Sequence, residues 1–394
     1  MKNYDKIIVS MKIGLFTECY EPIINGVVHS MRNTKRGLEA LDHEVFVFAP
    51  DYKNKNIREK NIIHCKSTPL PGKLGYHYIH PLSEENKKLA AKMDIIHTHH
   101  PFTMAKYSSE VAKSNNIPLL FTHHTQYDQY TYYVPLLHTK VKKFLYNFLK
   151  NFCNKCDLII APSLGIKKII NREYKTKTEI EVVPNSIDIK NFRKGLDLST
   201  PRIFSRLKPN YKIILYTGRV AKEKNIEFII KAFKLAVVKY PECYLLIVGG
   251  GPALEKLQRL SVKLGLVGQV IFTGMVPYSQ IKRFYNFADF FITASKTEVH
   301  PLVLLEAMAS GLPMIALDAI GTSDIIEPGH TGYIVRDDIT EFSEKILYLL
   351  KNPTRLGIMS KNAAKEINFY SIPNMAKKML GAYQKAIQIH QKKL

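Results

Sequence analysis

No run in this 394-residue chain approaches the roughly 18 consecutive apolar residues that span a bilayer. The N-terminus lacks the apolar stretch and cleavage site of a secretory leader, so the expected location is the cytoplasm, dissolved or on a membrane surface. Cysteine is sparse: Cys19, Cys65, Cys153, Cys156 and Cys243 form an odd, scattered set that argues against a disulfide framework. Cys153 and Cys156 make a lone C-x-x-C on an amphipathic helical pattern, without the second pair that structural zinc asks for. No H-E-x-x-H occurs, no G-x-G-x-x-G opens a helix, and no repeat recurs at a fixed period. Acidic residues are also few, 34 against 57 basic, for a net charge of +23. The excess is even, with 28 basic and 18 acidic residues in 1–190 and 29 and 16 in 191–394. Lysine outnumbers arginine 45 to 12, a poor match to base readout, where bidentate arginine leads, so no nucleic-acid partner is expected. Diffuse lysine suits an anionic membrane surface, each side chain near it contributing about 1 kcal/mol.

The length exceeds what one hydrophobic core usually serves and predicts two domains. Short apolar runs alternate with helical patterns, the signature of parallel α/β layers. Met11-Lys-Ile-Gly-Leu-Phe16 reads as the first strand, with the ten residues before it outside the fold. Further strands are expected at 44–49, 62–64, 95–97, 119–122, 158–161 and 180–183, with helices at 31–41 and 140–153. A second series begins at 213–217 and continues at 244–248, 270–273, 290–293, 314–316 and 332–335. Residues 191–209 lack periodicity and hold Pro201 and Pro209, which places a linker between domains at 11–190 and 210–370. A final helix is expected at 372–391.

Ser295-Lys-Thr-Glu298-Val-His-Pro-Leu-Val303-Leu-Leu-Glu306-Ala-Met-Ala-Ser-Gly311 carries two glutamates eight residues apart. One closes a loop after an apolar strand; the other lies a turn into a helix, so both can face one crevice at a strand's carboxyl end. Ionised carboxylates only accept hydrogen bonds, which suits sugar hydroxyls. Gly218-Arg219-Val-Ala-Lys222-Glu-Lys224 ends another strand with the turn and cations a pyrophosphate needs. Gly249-Gly250-Gly251-Pro252 reads equally as a tight strand-to-helix turn or as a donor contact. Asn25-Gly26 can leave amides at a helix N-terminus, which attracts phosphate. Histidines cluster at His97, His99 and His100 and at His123-His124, each group ending a strand; a metal site is the alternative, but no ligand pattern supports it.

The segment Ser295–Gly311 resembles the E-x7-E segment of family 4 retaining glycosyltransferases, with Val299-His300-Pro301 in place of the usual small residue, Phe and Gly. Pro301 lacks an N–H for a donor oxygen. The resemblance implies a GT-B fold, two Rossmann-like doubly wound parallel-sheet domains facing a deep cleft, with the final helix packed back on the first. It implies that Glu298 contacts the transferred sugar, Glu306 the nucleotide ribose, and Arg219 and Lys224 the diphosphate, with Gly26, Gly250 and Val303 also on the donor. Thr273-Gly-Met-Val276-Pro277 resembles the loop that presents backbone groups to the base. His124 matches the histidine of the T-x-H-T block near the sugar, and Asp94 and His99 match a D-x-x-H-x-H lead-in. Pro184-Asn-Ser-Ile-Asp188 resembles a hinge-side turn. The Thr122–Tyr130 block, the aromatics Tyr127, Tyr130, Tyr132 and Tyr133, the basic loop 66–78 and the amphipathic helix with Phe144 and Phe148 look like the glycolipid-forming branch, which glucosylates diacylglycerol. That branch implies a nucleotide-sugar donor, UDP-glucose, a membrane-lipid acceptor, no tightly bound cofactor or resident metal, and Mg2+ at most stimulatory. A transferase with a soluble acceptor and a nucleotide-sugar epimerase are the alternatives.

Overall fold

A computed structural model describes residues 10–52, 59–70, 76–127, 138–193, 195 and 200–394. The described chain forms two compact units, one holding the sequence to Asn185 together with Ile372–Leu394, the other Ser186–Ser371.

In the first unit the strands are β1 (Lys12–Phe16), β2 (Glu44–Pro50), β3 (Ile62–Cys65), β4 (Ser67–Pro69) and β5 (His77–Ile79). They continue as β6 (Ile95–Thr98), β7 (Leu119–Thr122), β8 (Leu158–Ala161) and β9 (Ile180–Val182). Seven form one sheet in the order β3-β2-β1-β6-β7-β8-β9, and every pair is parallel. Helices cover both faces of such a sheet, which is why β6, β7 and β8 are buried throughout and read as continuous apolar runs. β4 and β5 pair antiparallel as a separate ribbon. Three residues are too few to carry a period, so the sequence shows neither strand.

Aspartates hold the register at the amino ends of these strands. Asp94 Oδ2 accepts from the Lys12 amide at 2.7 Å, and Asp157 Oδ2 from the Leu119 amide at 2.9 Å. Asp94 therefore works at the opposite end of β6 from His97 and His99, although all three share one motif.

The first helix spans Gly26–Glu39, five residues earlier than its apolar period suggests, because Asn25 caps it by accepting from the Val28 amide. It packs on the helix Ile372–Gln391 at Gly37, where an added Cβ would lie 2.7 Å from Ala376 Cβ. The C-terminal helix is fastened further by Lys385 to Glu179 and Glu181, by His390 to Asp157 at 3.0 Å, and by the Tyr383 hydroxyl to His97 Nδ1 at 2.9 Å. Along the helix His138–Cys153, Leu149, Phe152 and Cys153 are buried, while Phe144 stands 73% exposed. Asp128, Tyr130, Tyr132 and Tyr133, with residues 71–75 of the basic loop, lie outside the described residues.

The second unit contains β10 (Lys212–Thr217), β11 (Cys243–Val248), β12 (Val270–Gly274), β13 (Phe290–Thr293), β14 (Met314–Leu317) and β15 (Gly332–Val335). Their order is β12-β11-β10-β13-β14-β15, again parallel. The chain reverses direction across the sheet between β10 and β13, so the loops after these two strands diverge and leave a crevice at their carboxyl ends. The segment read as a linker takes in the end of a short helix, Ile189–Phe192, and a 3-10 turn, Arg202–Arg206. Phe192 is buried against Tyr285, and Phe204 rests on Phe284 and Phe287. Among the described residues, no helix is long and apolar enough to cross a membrane.

Because Gly37 leaves no room between its helix and Ala376, Gly37→Val is expected to cost about 1–3 kcal/mol through overpacking. Urea denaturation of the two proteins measures it.

Candidate active site

The crevice of the second unit is built from the β10 and β13 loops. After Thr217 the chain turns at Gly218 and runs past Arg219 into a 3-10 turn at Lys222–Lys224. The turn lies flush against the end of β11: the Gly218 amide donates to Val248 O at 3.0 Å and the Val220 amide to Gly250 O at 2.9 Å. Such proximity excludes a side chain at Gly249, whose φ is +143° and whose Cβ would sit 1.9 Å from Gly218 O. Gly250 thus serves as a packing position of the strand-to-helix turn, beside Met275 of the loop that holds Val276.

On the β13 side, the loop 294–301 carries Glu298 and leads into the helix Leu302–Ala309, where Pro301 is the N-cap residue and no side chain caps the helix. Gly321 presses on this loop, and a Cβ there would meet Val299 O at 2.6 Å. Pro301 supplies no amide, so the helix opens with the amides of Leu302 and Val303, the ends that favour an anion.

The two loops meet through an ion pair. Lys224 Nζ donates to Glu298 Oε1 at 2.5 Å, and both side chains are largely enclosed, 25% and 18% exposed. Burial alone pushes the Glu298 carboxyl up; the Lys224 charge, its hydrogen bond and a further one from Ser295 outweigh that and hold it below the ordinary 4.5. Arg219 is more open, 45% exposed, and pairs with Glu223 at 3.3 Å.

Glu306 lies deeper, at 3% exposure. Tyr278 donates to its Oε1 at 2.9 Å and Tyr285 to its Oε2 at 2.7 Å. The Tyr285 oxygen also lies 2.6 Å from Thr217 Oγ1, which ties Glu306 back to the end of β10. Burial raises the Glu306 carboxyl above 4.5, and the two tyrosine hydrogen bonds oppose that rise. Neither tyrosine stands out in the sequence as a site residue. The available signal is their spacing of seven on the helix Tyr278–Phe287, which puts both on one face.

Gly26 and His124 belong to the first unit. Gly26 opens its helix behind the Asn25 cap, and Asn25 Nδ2 reaches Cys19 Sγ at 3.5 Å, itself 3.7 Å from His100 Nε2. His124 Nε2 and His99 Nδ1 share a hydrogen bond of 2.8 Å. Burial pushes both imidazoles well below 6.5, with neighbouring histidines adding to the effect, so they are neutral at pH 7. His97 is wholly buried between Tyr383 and Thr122. Among the described residues, no three His, Cys, Asp or Glu side chains converge as metal ligands.

Residues 24–191 match the model of glycosyltransferase family 4, and residues 200–366 that of glycosyl transferases group 1. An alpha-monoglucosyldiacylglycerol synthase of Acholeplasma laidlawii is 31% identical over 399 residues, which cover 98% of this chain and 99% of the relative. The chain belongs to the family 4 glycosyltransferases. A second protein with that name, from Streptococcus pneumoniae, is 33% identical to this glycosyltransferase over 78% of the chain and 71% of its own length. Among solved structures, Anabaena HepE in complex with UDP and glucose matches with a TM-score of 0.75 at 18% identity, covering 95% of this chain and 99% of that one. The likeness identifies the GT-B fold.

The lowered Glu298 pKa gives a stability prediction with a definite sign. The pair's contribution is present above 4.5, the unfolded value, and lost as pH falls through the lower folded value. Lys224→Met is therefore expected to reduce the urea midpoint at neutral pH, with the difference from wild type shrinking in acid below the folded pKa of Glu298. A difference independent of pH would refute the pair as its source.

Proposed function

We propose that this glycosyltransferase moves glucose from UDP-glucose, with retention, to diacylglycerol or a closely related membrane lipid. The observation that carries the reading is the similarity, along nearly the whole of both chains, to a relative named for making alpha-monoglucosyldiacylglycerol. The UDP and glucose held by HepE support the donor. A net charge of +23 and the exposed Phe144, Ile24 and Leu164 support work at an anionic membrane surface on the inner face of the cell membrane.

The chemistry follows from the character of the groups. The bond from the anomeric carbon to the diphosphate oxygen breaks, and the acceptor oxygen bonds to that carbon on the same face. The proton of the acceptor hydroxyl passes to the departing diphosphate. Arg219 and Lys224 stabilise the charge gathering on that leaving group, the largest electrostatic demand of the step. Glu298 accepts from hydroxyls of the sugar, Glu306 from the ribose, and the neutral His124 donates a hydrogen bond to the sugar. Gly26, Gly250, Val276 and Val303 line the donor in this reading. Mg2+ in solution would stimulate by screening the diphosphate, without a protein site of its own.

Transfer of radiolabel from UDP-glucose to diacylglycerol in mixed micelles, counted in the organic phase, tests the proposal. Label is expected there and should rise with anionic phospholipid; UDP-glucose binding without labelled lipid would point to a soluble acceptor. Glu298→Gln is expected to lower kcat/KM by about 10²–10³-fold. Activity near wild type in that variant would remove Glu298 from the site.

A further inference from the structure

Two phenolic hydroxyls occupy half of the accepting capacity of a buried carboxylate in the second unit. An ionised carboxylate offers about four lone-pair sites, two on each oxygen. Tyr278 takes one on Glu306 Oε1 and Tyr285 one on Oε2, at 2.9 and 2.7 Å. One site per oxygen is left, and two acceptor sites on one carboxylate suit the two adjacent O–H donors of a vicinal diol.

The three elements that meet here give the arrangement its direction. Tyr278 is the first residue of its helix, directly after the loop containing Met275 and Val276. Its ring packs on Phe192 at 6.2 Å, which fixes the hydroxyl from behind. Tyr285 has a single proton. Since it donates that proton to Glu306, it accepts from Thr217 Oγ1 at 2.6 Å, and Thr217 is the last residue of β10 before Gly218 and Arg219. A continuous chain of hydrogen bonds thus runs from the end of β10 through Tyr285 to Glu306 and on to the start of the helix that follows β12.

We infer that Tyr278 and Tyr285 are positioning residues for the donor: they keep Glu306 oriented as a two-point acceptor for the ribose diol and tie it to the strand end that leads into the basic turn. The inference rests on Glu306 as the ribose acceptor. It adds that the carboxylate's selectivity for a diol depends on the two phenols, because a carboxylate freed of one of them rotates and presents its oxygens to the ligand in no fixed direction. Burial works in the same sense. A carboxyl group this enclosed is raised toward its protonated form, and the tyrosine hydrogen bonds favour the anion, the form that accepts only.

Calorimetric binding of UDP and of 2′,3′-dideoxy-UDP to the full-length wild type, Tyr278→Phe and Tyr285→Phe tests this. Phenylalanine keeps each ring, and Tyr278 is partly exposed, so its variant should fold even if the buried Tyr285 variant does not. Wild type is expected to prefer UDP over the dideoxy analogue. In Tyr278→Phe the affinity for UDP should fall about tenfold, the scale of a hydrogen bond to a charged group, while that for the analogue stays unchanged, so the preference shrinks. Undiminished preference in Tyr278→Phe overturns the positioning role alone, as does an equal loss for both ligands. Absence of any preference in wild type overturns the ribose reading of Glu306 and the inference with it.

Discussion

The second unit turns on one ion pair. Lys224 and Glu298 are 74 positions apart in sequence, yet their side chains lie 2.5 Å apart because β10 and β13 are neighbours at the point where the sheet order reverses. A largely enclosed carboxylate is costly to keep ionised, and removing its partner leaves the cost uncompensated. Everything around the pair serves to hold the two loops at this separation. The glycine at 249 lets the basic turn lie on β11, Gly321 lets the next loop press on Val299, and Ser295 adds a second donor to the carboxylate. The result is an acid and a base that are both charged and both fixed. In the proposed reaction this preorganisation serves the departing diphosphate and the sugar.

Glu306 is solved differently although it belongs to the same motif. Among the described residues no cation is hydrogen-bonded to it; its charge is met by phenols, and its pKa moves in the opposite direction from that of Glu298. The difference follows from depth. Glu298 sits in a loop at the lip of the crevice, where a lysine from the facing loop can reach, whereas Glu306 lies in a helix packed against the core and meets only what the neighbouring helix and strand end present. A cation there would compete with a neutral diol for the carboxylate, and hydroxyls leave the remaining lone pairs available.

Much of this was legible in the sequence. All thirteen strands of the two large sheets follow from short apolar runs, since strands buried on both faces need no alternation and their ends are marked by Gly, Pro and Asp. The crevice residues were legible as types: a carboxylate pair, and a glycine followed by cations after a strand. Their partners were not. Tyr278 and Tyr285 sit on an ordinary amphipathic helix, and only the adjacency of β10 to β13 brings that helix over Glu306. The start of the first helix was legible at Asn25-Gly26 as a helix N-terminus but not in the apolar period, because a cap is a single side-chain hydrogen bond. The exposure of Phe144 was not legible, because at the edge of an amphipathic stripe the neighbouring elements decide what is covered. Asp94, matched only to a linear lead-in motif, clamps the end of the strand opposite His97 and His99, a division that the motif itself does not show.

The histidines of the first unit are held neutral by burial. His97, His99 and His124 cluster in an interior that disfavours their protonation, and neighbouring histidines depress His99 and His124 further. At neutral pH such a group carries no net charge. In the proposed reaction it can place a hydrogen bond and hold an orientation, but it cannot offset the negative charge that forms as the sugar leaves the diphosphate. That demand falls on Arg219 and Lys224, the residues with fixed charge. Lys224 is already engaged by Glu298, while Arg219 is more exposed and paired to Glu223 at the longer distance of 3.3 Å. In the proposed reaction a pre-paired lysine with a more loosely paired arginine receives the leaving group, and the carboxylate of Glu298 orients the sugar by accepting from its hydroxyls.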